Sequence, residues 1–284
     1  MATNYFLGID PAPAQGKKSD DGAMAILRVR PRPGLGRAPT GTAGDWLAQF
    51  VWAMRVRGQA NVSEESGILY AQRTREWSGH IHTLHQRFHL TGILMDTQGM
   101  GQAIWPELNK TRQLINGNET DCIPIGAPDD ETVMSANAHL ILRLFLRHHL
   151  AELWPILLPG VDSLYTAAHN DFKEAVEHAE VQFPASLGER DEAVVAGWPP
   201  LLRAVLKNLD DARSQLVNVQ VLTKENGEWQ LTRNGAKQFV AAAGKKDLAY
   251  ACLFAWIRFL MWLKTNDGEF DDDEGDGEVG FYAQ

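Results

Sequence analysis

The strongest constraint in this sequence is its first apolar run, Tyr5-Phe6-Leu7-Gly8-Ile9-Asp10, which breaks at Pro11-Ala12. A run this short, bounded by proline, reads as a strand whose last side chain sits at a sheet edge. That side chain is a carboxylate, which can hold a metal ion at a strand end if other acids converge on it. Two further stretches have the composition to converge. Gly92-Ile93-Leu94-Met95-Asp96 is a second apolar run ending in aspartate, followed by Thr97-Gln98-Gly99-Met100-Gly101. Gly244-Lys245-Lys246-Asp247 opens an apolar helix over Leu248–Lys264.

That last helix bears on where the chain can reside. Leu248–Leu263 is apolar or small throughout, except for Arg258. It is shorter than the roughly 20 residues a membrane span needs, so it reads as a buried core helix and no membrane partner is expected. No basic-then-apolar leader is visible near Asn4 and Asp10. Cys122 and Cys252 are the only cysteines, which excludes a disulfide framework or a multi-cysteine zinc site and points to a reducing compartment. The chain has 284 residues, 44% of them hydrophobic, enough for one large core.

The net charge of −9 is unevenly spread. Eight acids lie between Asp267 and Glu278, and setting them aside leaves −1 for everything before them. We therefore divide the chain into a folded domain over residues 1–265 and an acidic, disordered tail over 266–284. Within the domain, Lys17, Lys18, Arg28, Arg30, Arg32, Arg37, Arg55, Arg57, Lys245 and Lys246 form local basic patches. Of these, Lys17, Lys18, Arg28, Arg30, Lys245 and Lys246 are candidates for contact with nucleic-acid phosphates.

Along the chain, Tyr5–Asp10, Ala23–Val29 and Phe50–Val56 read as three strands joined by turns, with Trp52, Met54 and Val56 on one face of the third. Ser63 can cap a helix whose first turn holds Glu64 and Glu65, and whose stripe Trp77, Ile81, Leu84, Phe88 packs on the sheet. Ile93–Asp96 is a fourth strand, a short helix follows through Leu108, Cys122–Ile125 is a fifth strand, and Glu131–Leu150 a long helix. Further helices are expected at Asp171–Val181 and at Leu201–Leu216, the latter with Leu202, Val205, Leu206 and Leu209 on one face. Val217 to Leu231, turning at Asn226-Gly227, carries the signature of a hairpin. A meander followed by strand–helix crossovers implies a mixed α/β sheet flanked by helices.

Phosphodiester hydrolysis with two divalent ions needs carboxylates that bridge and flank metals about 3.5–4 Å apart. Magnesium and manganese take oxygen ligands, and magnesium keeps several waters, so a few aspartates suffice. Asp10 is placed to bridge, Asp96 to sit on the same edge, and Asp247 to reach in from the last helix. Any one of these aspartates alone reads as a turn or cap residue. Their order is the telling feature.

That order resembles the ribonuclease H-like nuclease domain of the large terminase subunit of tailed bacteriophages. Phe6-Leu7-Gly8-Ile9-Asp10-Pro11-Ala12 with Asp20-Asp21-Gly22 looks like the family's first hairpin. Ile93 to Gly101 with Leu108 resembles its acid-then-GxG block, and Lys246-Asp247-Leu248-Ala249-Tyr250-Ala251 its final acid and small-residue helix. The likeness spans about residues 4–264. It implies endonucleolytic cutting of concatemeric double-stranded DNA during genome packaging, with two Mg2+ or Mn2+ ions on Asp10, Asp96 and Asp247, and Asp20 or Asp21 as an accessory acid. The partners it implies are an ATPase motor domain, the small terminase subunit and the portal, in host cytoplasm at the procapsid. Two departures stand out. Gly16-Lys17-Lys18 and Gly244-Lys245-Lys246 lack the spacing and the Ser/Thr of an ATPase phosphate loop, so no ATP hydrolysis is expected. Leu248 also stands where the family often has a second acid.

Three other readings are kept. A Holliday junction resolvase shares the fold and an opening like Gly8-Ile9-Asp10-Pro11. A catalytically degenerate packaging or portal-binding domain would bind no metal near Asp10. His82, His85 and His89 share helical spacing that could serve zinc, although a solvated or DNA-facing surface is the expectation.

Overall fold

A computed structural model describes residues 3–11, 22–34, 39, 42–56, 67–96, 100–125, 133–135, 164–221, 239–241 and 246–265. The first three strands are the expected antiparallel meander: β1 (Asn4–Asp10), β2 (Gly22–Pro31) and β3 (Trp46–Val56). Helix α1 (Gly67–Phe88) leads to β4 (Gly92–Met95), which pairs parallel with β1. Then come α2 (Met100–Leu108), β5 (Arg112–Ile115), β6 (Asn118–Asp121) and β7 (Val133–Ser135), the last parallel to β4. The rest is α3 (Leu164–Glu177), β8 (Val181–Gln182), α4 (Glu192–Ala196), α5 (Pro200–Asn218), β9 (Val219–Val221), β10 (Phe239–Ala241) and α6 (Asp247–Thr265).

The main sheet runs β7-β4-β1-β2-β3-β8. A central strand, an antiparallel meander on one side and parallel crossover strands on the other make this a ribonuclease H-like mixed sheet. β1 is buried on both faces, as a central strand with helices on either side must be. The Phe6 ring lies tilted at 5.6 Å from Phe259 and 5.7 Å from Trp262 of α6, while Tyr5 meets Phe88 of α1 at 5.5 Å. Alternation then assigns Phe6, Gly8 and Asp10 to the α6 face, and Tyr5, Leu7 and Ile9 to the α1 face.

α6 is apolar on all sides because all sides are covered. Trp256 donates its indole N–H to Asp171 of α3 at 2.7 Å, and Gln215 of α5 accepts from the backbone N–H of Ala249 at 3.1 Å. The expected core helix is present, and among the described residues no helix is long and apolar enough to cross a membrane.

Several expectations are corrected. Cys122–Ile125 is not a strand: Cys122 N–H bonds Thr111 O and Ile125 N–H bonds Leu108 O, folding the segment back on α2, and Pro124 has no donor for a ladder. The fifth strand of the main sheet is Val133–Ser135, inside the expected helix Glu131–Leu150, of which the remainder lies outside the described residues. The helix expected at Asp171–Val181 begins earlier and stops at Glu177. Ala179 has φ 57 and Glu180 N–H reaches back to Ala175 O, which ends the helix and frees Val181 to pair with Ala48. On α5, Val205 and Leu209 are buried, whereas Leu202 is 41% exposed. β9 pairs antiparallel with β10, so a strand pair does precede α6, but Asn226-Gly227 and Trp229–Leu231 lie outside the described residues. So do Ser63, Glu64 and Glu65.

One hairpin was overlooked. Asn116-Gly117, with φ of 51 and 80, forms the tight turn between β5 and β6. Its buried Gln113 accepts from Ser78 Oγ at 2.7 Å and donates to the carbonyls of Glu107 and Lys110, which pins the hairpin to α1 and α2.

Candidate metal centre

The parallel register of β1 and β4 pairs Gly8 with Leu94 and Ile9 with Met95, and Asp96 N–H continues it by bonding Ile9 O at 3.1 Å. Asp10 and Asp96 therefore follow one another onto the same edge, at the carboxyl ends of adjacent strands. Adjacent strands lie about 4.8 Å apart, so the two residues are neighbours across the ladder. In an open α/β sheet this edge is where ligands bind.

Gly8 sets where the last helix lies on β1. A Cβ built on Gly8 would lie 1.9 Å from Ala251 O and 2.4 Å from Ala255 N, so α6 rests directly on the β1 backbone there. Phe6 meets Phe259 and Trp262, and Gly8 meets Ala251 and Ala255, so the helix runs antiparallel to the strand. Two further strand residues advance about 6.6 Å, roughly four to five helical residues. That step brings the end of β1, at Asp10, to the first turn of α6, which opens with Asp247. Asp247 is 1% exposed.

The capping explanation of Asp247 is answered by the helix start. Lys246 O accepts from Tyr250 N–H at 2.9 Å, which makes Lys246 the N-cap, and lysine has no acceptor with which to cap. The N–H of Ala249, at the third helical position, is taken instead by Gln215. Lys246 lies over the Tyr250 ring at 4.7 Å, beside the site.

Gly101 closes the other side. A Cβ there would sit 1.8 Å from Asp96 O and 3.2 Å from Pro11 Cγ, so the first turn of α2 lies against both strand ends. The glycine of the acid-then-GxG block is thus a close-approach residue.

Among the described residues, no three His, Cys, Asp or Glu side chains are gathered closely enough to hold a metal ion. What the structure shows is a pair of strand-end aspartates in register and a third aspartate on the helix laid over them. All are hard oxygen donors, the set that suits magnesium or manganese and disfavours zinc.

The other candidates divide sharply. Lys17, Lys18, Asp20, Asp21 and Lys245 lie outside the described residues. Arg28 and Arg30 do not join the aspartates: Arg28 pairs with Tyr5 while Ala23 pairs with Asp10, which puts Arg28 about 17 Å along β2 at the opposite end of the sheet. Arg28 there donates to Gln49. The histidine group is divided: His89 is exposed and His85 half-buried, whereas His82 is not on a solvated surface. His82 is 2% exposed and its Nε2 lies 3.1 Å from Leu108 O, tying α1 to α2. Burial holds its pKa below the ordinary value, so the ring is neutral and donates through Nε2.

No protein-family model and no curated protein matches the chain. Among solved structures it is similar to the yeast mitochondrial Holliday junction resolvase, at 12% identity and a TM-score of 0.39, over 93% of this chain and 82% of that one. A likeness at that level adds nothing to the strand order itself.

Proposed function

We propose that this chain is a divalent-metal-dependent endodeoxyribonuclease. The observation that supports it best is the register of Asp10 with Asp96 at the ends of parallel strands, under a helix that opens with Asp247. Asp10, Asp96 and Asp247 are the residues that would hold Mg2+ or Mn2+, which when bound supplies an activated water and stabilises the departing 3′ oxygen of a phosphodiester. The chain's own contribution is rigidity. Gly8 and Gly101 let α6 and α2 close on the strand ends, and Gln215 fixes the turn that carries Asp247.

The finer reading is the nuclease of a phage large terminase, cutting concatemeric double-stranded DNA during packaging in the host cytoplasm. Its partners are then an ATPase motor domain, the small terminase subunit and the portal. The sequence order supports this reading, as does the strand pair β9–β10 ahead of α6. Nothing in the described site offers a base-reading helix for the major groove, so cutting is expected to show little sequence preference.

The test is cleavage of supercoiled plasmid, linear duplex and a synthetic four-way junction in manganese, magnesium or EDTA. Nicking and linearisation of plasmid in metal but not in EDTA is the expected result. Paired incisions confined to the junction would replace packaging with branch resolution. A folded protein that cleaves none of the three in either metal refutes the nuclease reading.

A further inference from the structure

β3 contains an irregularity before it reaches the rung of Asp10. Its pairing with β2 slips between Ile26 and Leu27: Leu27 faces Phe50 and Ile26 faces Trp52, leaving Val51 as an extra residue. Before the slip, Trp46, Ala48 and Phe50 belong to the α6 face, and the Trp46 ring meets Trp262 at 5.3 Å. After it the alternation is reversed, and Ala53 and Arg55 take that face instead. An unbroken strand would have sent Arg55 to the other side of the sheet.

The consequence is that Arg55 joins the rung of the aspartates. Arg55 pairs with Ala23, and Ala23 pairs with Asp10, so the three share one face. Two strand spacings put Arg55 about 10 Å from Asp10 between Cα atoms, with Ala23 on the strand between them. The Arg55 guanidinium lies 3.3 Å from Asp211 of α5, and its side chain is 15% exposed against 37% for Asp211. A partly exposed pair of this kind contributes little stability, so it does not account for a bent strand. Bulges beside active sites re-aim side chains.

We propose that Arg55 grips a backbone phosphate of the DNA strand bound at the aspartates, an inference that rests on the nuclease reading above. The planar guanidinium fork matches two phosphate oxygens, and Asp211 holds it oriented before DNA arrives.

The test is the affinity for a labelled duplex in EDTA, measured by anisotropy between about 50 and 200 mM salt. Arg55→Gln is expected to weaken binding severalfold and to reduce the slope of log affinity against log salt by about 0.9, one phosphate contact. Asp211→Asn removes the same ion pair but leaves Arg55 and its charge, and is expected to keep the slope while affinity falls less than in Arg55→Gln. Native affinity and slope in Arg55→Gln overturn the proposal, leaving a purely structural pair; the nuclease reading then survives if the native chain still binds and cuts DNA. A native chain that neither binds nor cuts DNA overturns both. Where Arg55→Gln does not fold, Arg55→Lys keeps the charge and loses the fork: affinity then falls with the slope retained, and native affinity overturns the proposal.

Discussion

Gly8→Ala is the perturbation that most directly couples this fold to its site. The added methyl would stand 1.9 Å from Ala251 O and 2.4 Å from Ala255 N, while real Cβ contacts essentially never fall below 3.0 Å. The shortfall is therefore about 1 Å. Both obstructing atoms are helix backbone, so no side-chain rotation relieves the clash, and α6 must lift or tilt off β1. Overpacking of this kind costs about 1–3 kcal/mol, and for a chain of this size each kcal/mol lowers Tm by roughly 2–4 °C. We expect Gly8→Ala to melt about 2–12 °C below the native protein by circular dichroism. Because α6 carries Asp247, the same displacement is expected to lower cleavage by about 100-fold, the usual effect of a misplacement near 1 Å. Gly44→Ala is the control: its Cβ would meet nothing within 4 Å, so both readouts stay native. A Gly8→Ala protein with native Tm and native cleavage would refute the packing of α6 on β1, and with it the route by which Asp247 reaches Asp10.

Other consequences follow from the supports around α6. Burial raises the Asp171 carboxyl from 3.8 to about 6, against the lowering effect of the Trp256 hydrogen bond, with Glu180 and Glu174 adding to the rise. The folded protein therefore binds a proton that the unfolded chain lacks between those values, and this group's contribution to stability rises as pH falls from about 7 to about 4. Asp171→Asn, which keeps an acceptor for Trp256, is expected to be more stable than the native protein at pH 8 by up to ~3 kcal/mol and equal to it near pH 4, by urea unfolding; a constant difference across that range would contradict the assignment. Gln215→Leu removes the acceptor for Ala249 N–H at the third helical position of α6. It is expected to cost about 1 kcal/mol and to speed amide exchange at Ala249, whereas native exchange there would show that α5 does not cap α6.

The parts of this fold legible in the sequence are those where local and tertiary demands agree. Tyr5–Asp10, Ala23–Val29 and Ile93–Met95 are buried on both faces, so they read as apolar runs, and α6 reads as apolar because it is enclosed. Val133–Ser135 is too short to show a period, and its strand character comes from pairing with β4. The bulge at Val51 was illegible for a related reason: Trp52, Met54 and Val56 alternate plausibly on their own, and only the pairing with β2 shows that the face changes before Arg55. Asn-Gly occurs at 116–117 and 234–235 as well as 226–227, and the first does not read as a hairpin because its second strand, Asn118–Asp121, is fully polar. His82 reads as a surface residue in a helix rich in His and Arg, until Leu108 O is seen to receive its N–H. The order of the aspartates in the sequence anticipates two of them at the ends of adjacent parallel strands and a third opening the last helix. Not legible is the close approach of α6 to β1, which depends on Gly8 being small enough for a helix backbone to lie against it.

In the nuclease proposed above, Asp10, Asp96 and Asp247 act as one metal-binding, DNA-cleaving centre. Its most direct test is manganese calorimetry alongside plasmid cleavage for the native chain and for Asp10→Asn, Asp96→Asn and Asp247→Asn, each near-isosteric and one charge less acidic. The account requires that each folded variant lose manganese affinity and nicking together. Native manganese binding and native nicking by folded Asp10→Asn or Asp96→Asn would contradict it outright, and loss in those two with native activity in Asp247→Asn would remove the helix from the centre.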